Sequence, residues 1–191
     1  MEAAIIWAKE LMSADPVVGA VVFYLFAVVS AMLAFASSAA LVPSANLVWG
    51  QAVTFLLLWG GWVTGAALSF AIGNLARPFL NRLGYEKVLE KYQHLLSKRM
   101  RFWVVLLFCF AVPSEIPGYL FGGMHYPFWK FLAAAAIAEG VYAVGLIVAG
   151  ESLLSANPLL FLVIIGALIV IGAGTSRLLR VIKSRKASGS A

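Results

Sequence analysis

The residues best placed to do chemistry are Pro113, Ser114, Glu115, Pro117 and Gly118, which interrupt the apolar run of residues 103–126. A carboxylate between two prolines is foreign to a plain membrane span. Proline lacks the amide hydrogen of the helix ladder and its ring clashes with the carbonyl one turn back, so Pro113 and Pro117 are expected to stop a helix. Backbone freed at membrane depth is tolerated only inside protein or beside a wet cavity, so the break predicts a re-entrant hairpin lining one. Gly118, Gly122 and Gly123 would permit close approach and positive φ on the way back. A single proline-kinked transmembrane helix is the alternative. Glu115 would cap the returning half-helix through its dipole, and half-helix ends aimed at a midplane site can hold headgroups or ions.

Glu139, in an Ala-rich stretch, is the second candidate. An acidic group in mid-span costs roughly 2.5 to 3.5 kcal/mol and normally faces the bundle interior. It suits a group that binds and releases a proton during transport; the plainer role is a protonated carboxyl hydrogen-bonded between helices. Ser44 and Asn46 follow Pro43 in an earlier interruption, residues 37–50. Val42-Pro43-Ser44 is echoed by Val112-Pro113-Ser114, each followed by an aromatic residue and glycine. Broken apolar segments at matching places in two halves point to a transporter site built from inverted repeats, with two dips facing one another around the midplane.

The elements that must position these residues are long and apolar. With 63% hydrophobic and 12% charged residues in 191, the chain reads as an all-α integral membrane protein. A span needs about 20 apolar residues, which stretches 17–76, 102–126, 127–150 and 158–176 can supply. Runs of Ala, Leu and Val suit helices rather than the alternating strands of a barrel. The expected fold is a polytopic helical bundle with two inverted re-entrant hairpins.

Residues 1–16 read as an N-terminal interfacial segment, without the basic start and cleavage site of a signal peptide, and Asp15-Pro16 as a helix start. The membrane domain is expected over 17–176: a first half 17–76, a basic amphipathic helix 77–101 at the cytoplasmic face, and a second half 102–176. Residues 177–191 form a basic tail. Both basic clusters belong in the cytoplasm. Three apolar segments separate them, and three full crossings would put them on opposite sides; a hairpin at 113 leaves two crossings and keeps both inside. Arg77 and Arg82 are headgroup or topology anchors. The net charge of +6 is clustered, which speaks to lipid headgroups rather than nucleic acid.

Cys109 has no partner for an internal disulfide, and His94 and His125 have no neighbours at metal-ligand spacing, so no metal or cofactor is expected. There is no GxSxG, HExxH or phosphate-cradling loop, and the reading is not an enzyme. Gly60, Gly61, Gly65, Gly73, Gly140, Gly145 and Gly150 are expected to let helices approach closely. Trp49, Trp59, Trp62, Trp103 and Trp129 include interface anchors.

The segment from Pro113 to Gly118, followed by Gly122-Gly123, Phe128, Phe131 and an Ala-rich span with Gly140, resembles the DedA family, which shares its core with SNARE-associated Golgi or VTT-domain membrane proteins. Pro43, Gly50, Gly65 and Gly73-Asn74 before Arg77 are similar to that family's first repeat. The resemblance covers roughly residues 35–155. It implies two re-entrant hairpins in inverted orientation and movement of polyprenyl-phosphate carriers or phospholipids between leaflets, coupled in bacterial members to the proton gradient. Phe110 stands where members often carry an arginine, and Ser44 and Asn46 where many carry an acidic residue. Those departures weaken the case for proton coupling and for an anionic phosphate carrier. Glu115 matches the polar centre of the second motif.

The function expected is therefore a lipid flippase or scramblase of a bacterial plasma membrane, with the 77–101 loop and the C-terminus cytoplasmic. Its partners are membrane lipids, and pairing with a second copy is left open. The substrate or proton pathway would use Glu115, Glu139, Ser114, Pro113, Pro117, Gly118, Ser44 and Asn46. A proton- or ion-coupled transporter of a small solute, or a membrane scaffold, are the alternatives.

Overall fold

The computed structural model describes residues 15–33, 38–82, 102–112 and 115–154, and those of 159–177 other than 161, 165, 168 and 176. Every element described is helical: α1 (Pro16–Met32), a 3-10 turn (Ser38–Leu41), α2 (Val42–Arg82), α3 (Phe102–Ala111), α4 (Glu115–Gly123) and α5 (Phe128–Leu154). Most of the amphipathic stretch 77–101, the basic tail and residues 1–14 lie outside the described residues, as do Ser114 and Pro113.

Local chemistry sets the helix ends. Asp15 caps α1, its carboxylate accepting from the amides of Val17 and Val18, with Pro16 at the first position, where no amide hydrogen is needed. α1 stops at Met32, where Leu33 turns extended; its 17 residues rise about 25 Å. Pro43 does not interrupt a helix. It sits in the first turn of α2, where proline is tolerated. The true interruption is Gly50, at φ 73 and ψ 170, in the left-handed region that favours glycine. Helix resumes at Gln51 and continues to Arg82, past the boundary expected at 76.

Two compact units divide these elements, one from residues 1–65 and 139–169, the other from 66–138 and 170–191. In the first unit α1 and α2 touch through glycines. A methyl added at Gly61 would lie 2.6 Å from the Ala27 Cβ, and one at Gly65 2.5 Å from the Val28 carbonyl oxygen. Contacts advance together along both helices, so α1 and this part of α2 run parallel. The described residues 38–50 must therefore carry the chain back. They do: Ser38 bonds Ser30, and Trp49 has returned to the start of α1, donating to the Pro16 carbonyl at 3.2 Å and lying 5.8 Å from the Phe23 ring. The core beneath is Phe23, Ala27, Ala31, Val42, Leu58 and Ile147 with their small neighbours.

In the second unit Gly118, Gly122 and Gly73 play the same part, α4 lying parallel to residues 66–74 of α2. A methyl at Gly122 would clash with the Phe70 carbonyl oxygen, and one at Gly73 with that of Tyr119. Positive φ was expected at Gly118, Gly122 and Gly123, but these are helical; their use is close approach. The left-handed residue is instead His125 (φ 54), which ends α4. His125 N–H donates to Gly122 and Tyr126 N–H to Phe121, both at 3.1 Å, a Schellman pattern sealed by the Phe121–Tyr126 ring contact at 5.5 Å. α3 packs on α4 through Phe108 and Phe121, with centroids 5.4 Å apart, over a core that includes Phe70, Val105 and Phe131.

Two helical stretches, Ser38–Ala76 and Phe128–Ser152, are long and apolar enough to cross a bilayer. The outward face of α1 is Val17, Val18, Val21, Val22 and Leu25, which suits acyl chains. Gly122→Ala is expected to destabilise by about 1 to 3 kcal/mol through overpacking against backbone. Gly50→Ala, with open space around it, is expected to cost about 1 to 3 kcal/mol from backbone strain alone. Thermal unfolding of the two variants in detergent checks both.

Candidate functional site

At the second break α3 ends at Ala111, with the Val112 amide still donating to Phe108 at 3.1 Å, and α4 begins at Glu115. Glu115 occupies the first turn, where the amide ends of the helix favour a carboxylate. Its Oε2 is nonetheless buried without a hydrogen-bond partner among the described residues. Pro117 does not stop this helix; it lies buried in its first turn, where a missing amide hydrogen is harmless. One turn after Glu115, Gly118 backs onto Ser69 so closely that an added methyl would sit 2.5 Å from the serine Cβ. Ser69 is 0% exposed and its hydroxyl also lacks a partner. Glu115 and Gly118, three residues apart, share a helix face.

At the first break Ser44 is buried. Asn46 donates through Nδ2 to the Ile147 carbonyl at 3.2 Å, while its Oδ1 is buried and unpartnered. Thr54, one turn past Gly50, is 0% exposed with an unpartnered hydroxyl. A helical threonine ordinarily bonds the carbonyl four residues back, here that of Gly50, the residue that leaves helical geometry.

Glu139 is 8% exposed, in the middle of α5. Tyr142, three residues on and on the same face, lies within its electrostatic reach. Trp59 stands beside the next residue of α5, its Nε1 3.5 Å from where a Gly140 methyl would be. Arg77 and Arg82 fall on the last turns of α2, and their side chains lie outside those described. Among the described residues no three of His, Cys, Asp and Glu gather in a way that could hold a metal.

Sequence reasoning missed a buried knot in the first unit. Ser30 and Ser38 hydroxyls meet at 2.9 Å, Ser30 donates to the Ala27 carbonyl, and Trp62 Nε1 points at both serines, at 3.2 and 3.0 Å. Trp62 is thus no interface anchor; Trp103 and Trp129, strongly exposed, retain that reading. Thr54, Ser69 and Tyr126, whose hydroxyls are buried without partners, were also missed. Only the lone polar residues in apolar runs signalled them.

Ser38→Ala is expected to cost about 1 to 3 kcal/mol, since it strips Trp62 of its nearer acceptor where no water competes. Thr175→Ala, outside the knot and bonded to the Ile171 carbonyl one turn back in its own helix, is the control in a chemical-denaturation comparison.

The VTT domain family model matches residues 38–152, more than half of the chain, from the first residue of the 3-10 turn to the last turn of α5 and across both breaks. Neither a curated protein nor a solved structure matches. A domain spanning two interrupted helices and two helical stretches of membrane-crossing length places the chain in the VTT-domain family, as a membrane protein of the DedA type.

Proposed function

We propose that this chain is a lipid transporter of the flippase or scramblase type, in which phospholipid or polyprenyl-phosphate headgroups cross along polar atoms of two re-entrant hairpins while the tails stay in lipid. The observation that carries the reading is the pairing of α3 and α4. They hold 10 and 9 residues, so each rises about 15 Å, half the hydrocarbon thickness of about 30 Å. Their packing through Phe108 and Phe121 fits a hairpin that dips and returns. Its tip carries Glu115 with an unpartnered carboxylate oxygen.

The first unit supports the same reading. Residues 38–49 double back along α1 before α2 sets out again from Gly50. Interrupted helices place carbonyls, hydroxyls and carboxylates at a depth where lipid tails supply nothing polar, and such groups mark substrate pathways. Glu139 adds a second buried carboxyl. The setting proposed is a bacterial plasma membrane, with the 77–101 loop and C-terminus cytoplasmic.

Glu115→Gln and Glu139→Gln are expected to slow translocation of an acyl-labelled fluorescent phospholipid in proteoliposomes about tenfold, the value of one charge-assisted hydrogen bond. Unchanged rates in folded variants would remove both carboxyls from the pathway. For the dip, Trp103→Cys and Trp129→Cys, made in Cys109→Ala, are expected to react with an impermeant thiol reagent from the same face of sealed vesicles. Reaction from opposite faces would mean that 103–126 crosses.

A further inference from the structure

In the first unit α1 and the chain that returns to it enclose a groove of about 660 Å³, lined by Pro16, Ala20, Val21, Tyr24, Trp49 and Leu57. Its surface is wholly apolar. The two side chains there that carry polar atoms have them engaged elsewhere: the Tyr24 hydroxyl meets that of Thr64 at 2.7 Å, and Trp49 Nε1 donates to the Pro16 carbonyl. Water would find no hydrogen-bond partner in such a groove, and left unfilled it would forfeit dispersion contacts along its walls. The occupant must therefore be apolar throughout.

The dimensions narrow the choice. Pro16, with Trp49 bonded to it, stands at one end and Leu25 at the other, a rise of about 14 Å along α1. The hydrocarbon of one leaflet is about 15 Å deep, half of the full thickness of about 30 Å. Exposed Asp15, capping α1 at the mouth, sets that end at headgroup level, because a carboxylate is costly any deeper. The groove thus runs the depth of one leaflet, as a lipid tail does. Spread over its length, the volume gives a mean cross-section of about 47 Å², whereas a helix 10–12 Å across needs about 80 to 110 Å². A helix of a second copy could cover the groove but not fill it.

We infer that this groove holds one acyl chain of a bilayer lipid and recognises it by the tail alone. No polar atom lines it, so lipids of different headgroup are expected to bind alike. The inference does not depend on whether the protein moves lipid. Val18 and Val22 supply the comparison: they are exposed on α1 but lie outside the groove, where lipid touches them from one side only.

The test is photocrosslinking of the full chain in phosphatidylcholine vesicles that contain a little phosphatidylcholine with a mid-tail diazirine, the insertion sites being mapped by peptide mass spectrometry. Insertion at Val21 and Leu57 is expected to exceed that at Val18 and Val22 about threefold, a modest preference because a tail leaving lipid gains only packing contact. Ala20→Phe, which fills the groove, is expected to bring the two sets to parity. Val22→Phe, with similar bulk outside it, is expected to leave the excess at Val21 and Leu57 in place. Should Ala20→Phe fail to fold, Leu57→Phe narrows the groove from α2 and Val21 is read alone. Diazirine-bearing phosphatidylglycerol is expected to give the same pattern, and a pattern that changes with the headgroup overturns recognition by the tail. Equal insertion at both sets in the unaltered chain means ordinary surrounding lipid and overturns the inference, as does an excess indifferent to filling the groove. Crosslinks from the groove to a second copy, with no lipid inserted, would assign it to a protein partner and overturn the inference equally.

Discussion

A helix interrupted among acyl chains strands backbone groups that lipid has no means to hydrogen-bond, so each interruption must be closed from within the protein. The described residues show several ways of doing so. Asp15 takes two orphan amides at the start of α1, and the Schellman turn at His125 and Tyr126 takes two orphan carbonyls at the end of α4. His125 accepts left-handed geometry there without being glycine, a strain of about 1 to 2 kcal/mol offset by those two bonds and by the Phe121–Tyr126 contact. The Ser30, Ser38 and Trp62 knot fixes the point where the chain has just turned back from α1.

Apolar burial adds little between helices already surrounded by hydrocarbon, so their association depends on close contact. Both units solve this alike. Gly61 and Gly65 set α2 against Ala27, Val28 and Ala31, and Gly118 and Gly122 set α4 against Ser69, Phe70 and Asn74. Each pair is four residues apart, which stacks the two glycines on one helix face and lets backbone meet backbone. In the first unit the parallel contact requires the chain between the two helices to return, and residues 38–49 do so before the break at Gly50.

What is left after this closure is a small set of polar oxygens that the protein does not satisfy itself. Leaving a buried polar atom without a partner costs about 1 to 3 kcal/mol, and a fold stabilised by packing alone would gain from replacing it. Asn46 and Thr54 beside the first break, and Glu115 at the second, associate the unsatisfied chemistry with the same interruptions that the VTT domain spans here.

Much was legible in the sequence because it depends on local chemistry. Apolar runs longer than a bilayer needs specify helices, Asp15-Pro16 specifies a start, and Pro113 ahead of Ser114 and Glu115 marks a place where a helix is expected to stop. The glycines announced close packing for the same local reason. Tertiary structure decided the rest. Pro43 and Pro117 read as breakers but serve as helix starts, because proline's missing hydrogen matters only after the first turn. Gly50 became the break because Trp49, returning to Pro16, and Gln51, meeting Glu151, pull the chain two ways across it. Whether Trp62 anchored an interface or tied a core, and whether Thr54 found a carbonyl, depended on residues far along the chain, and a one-dimensional pattern carries no record of which distant group arrives.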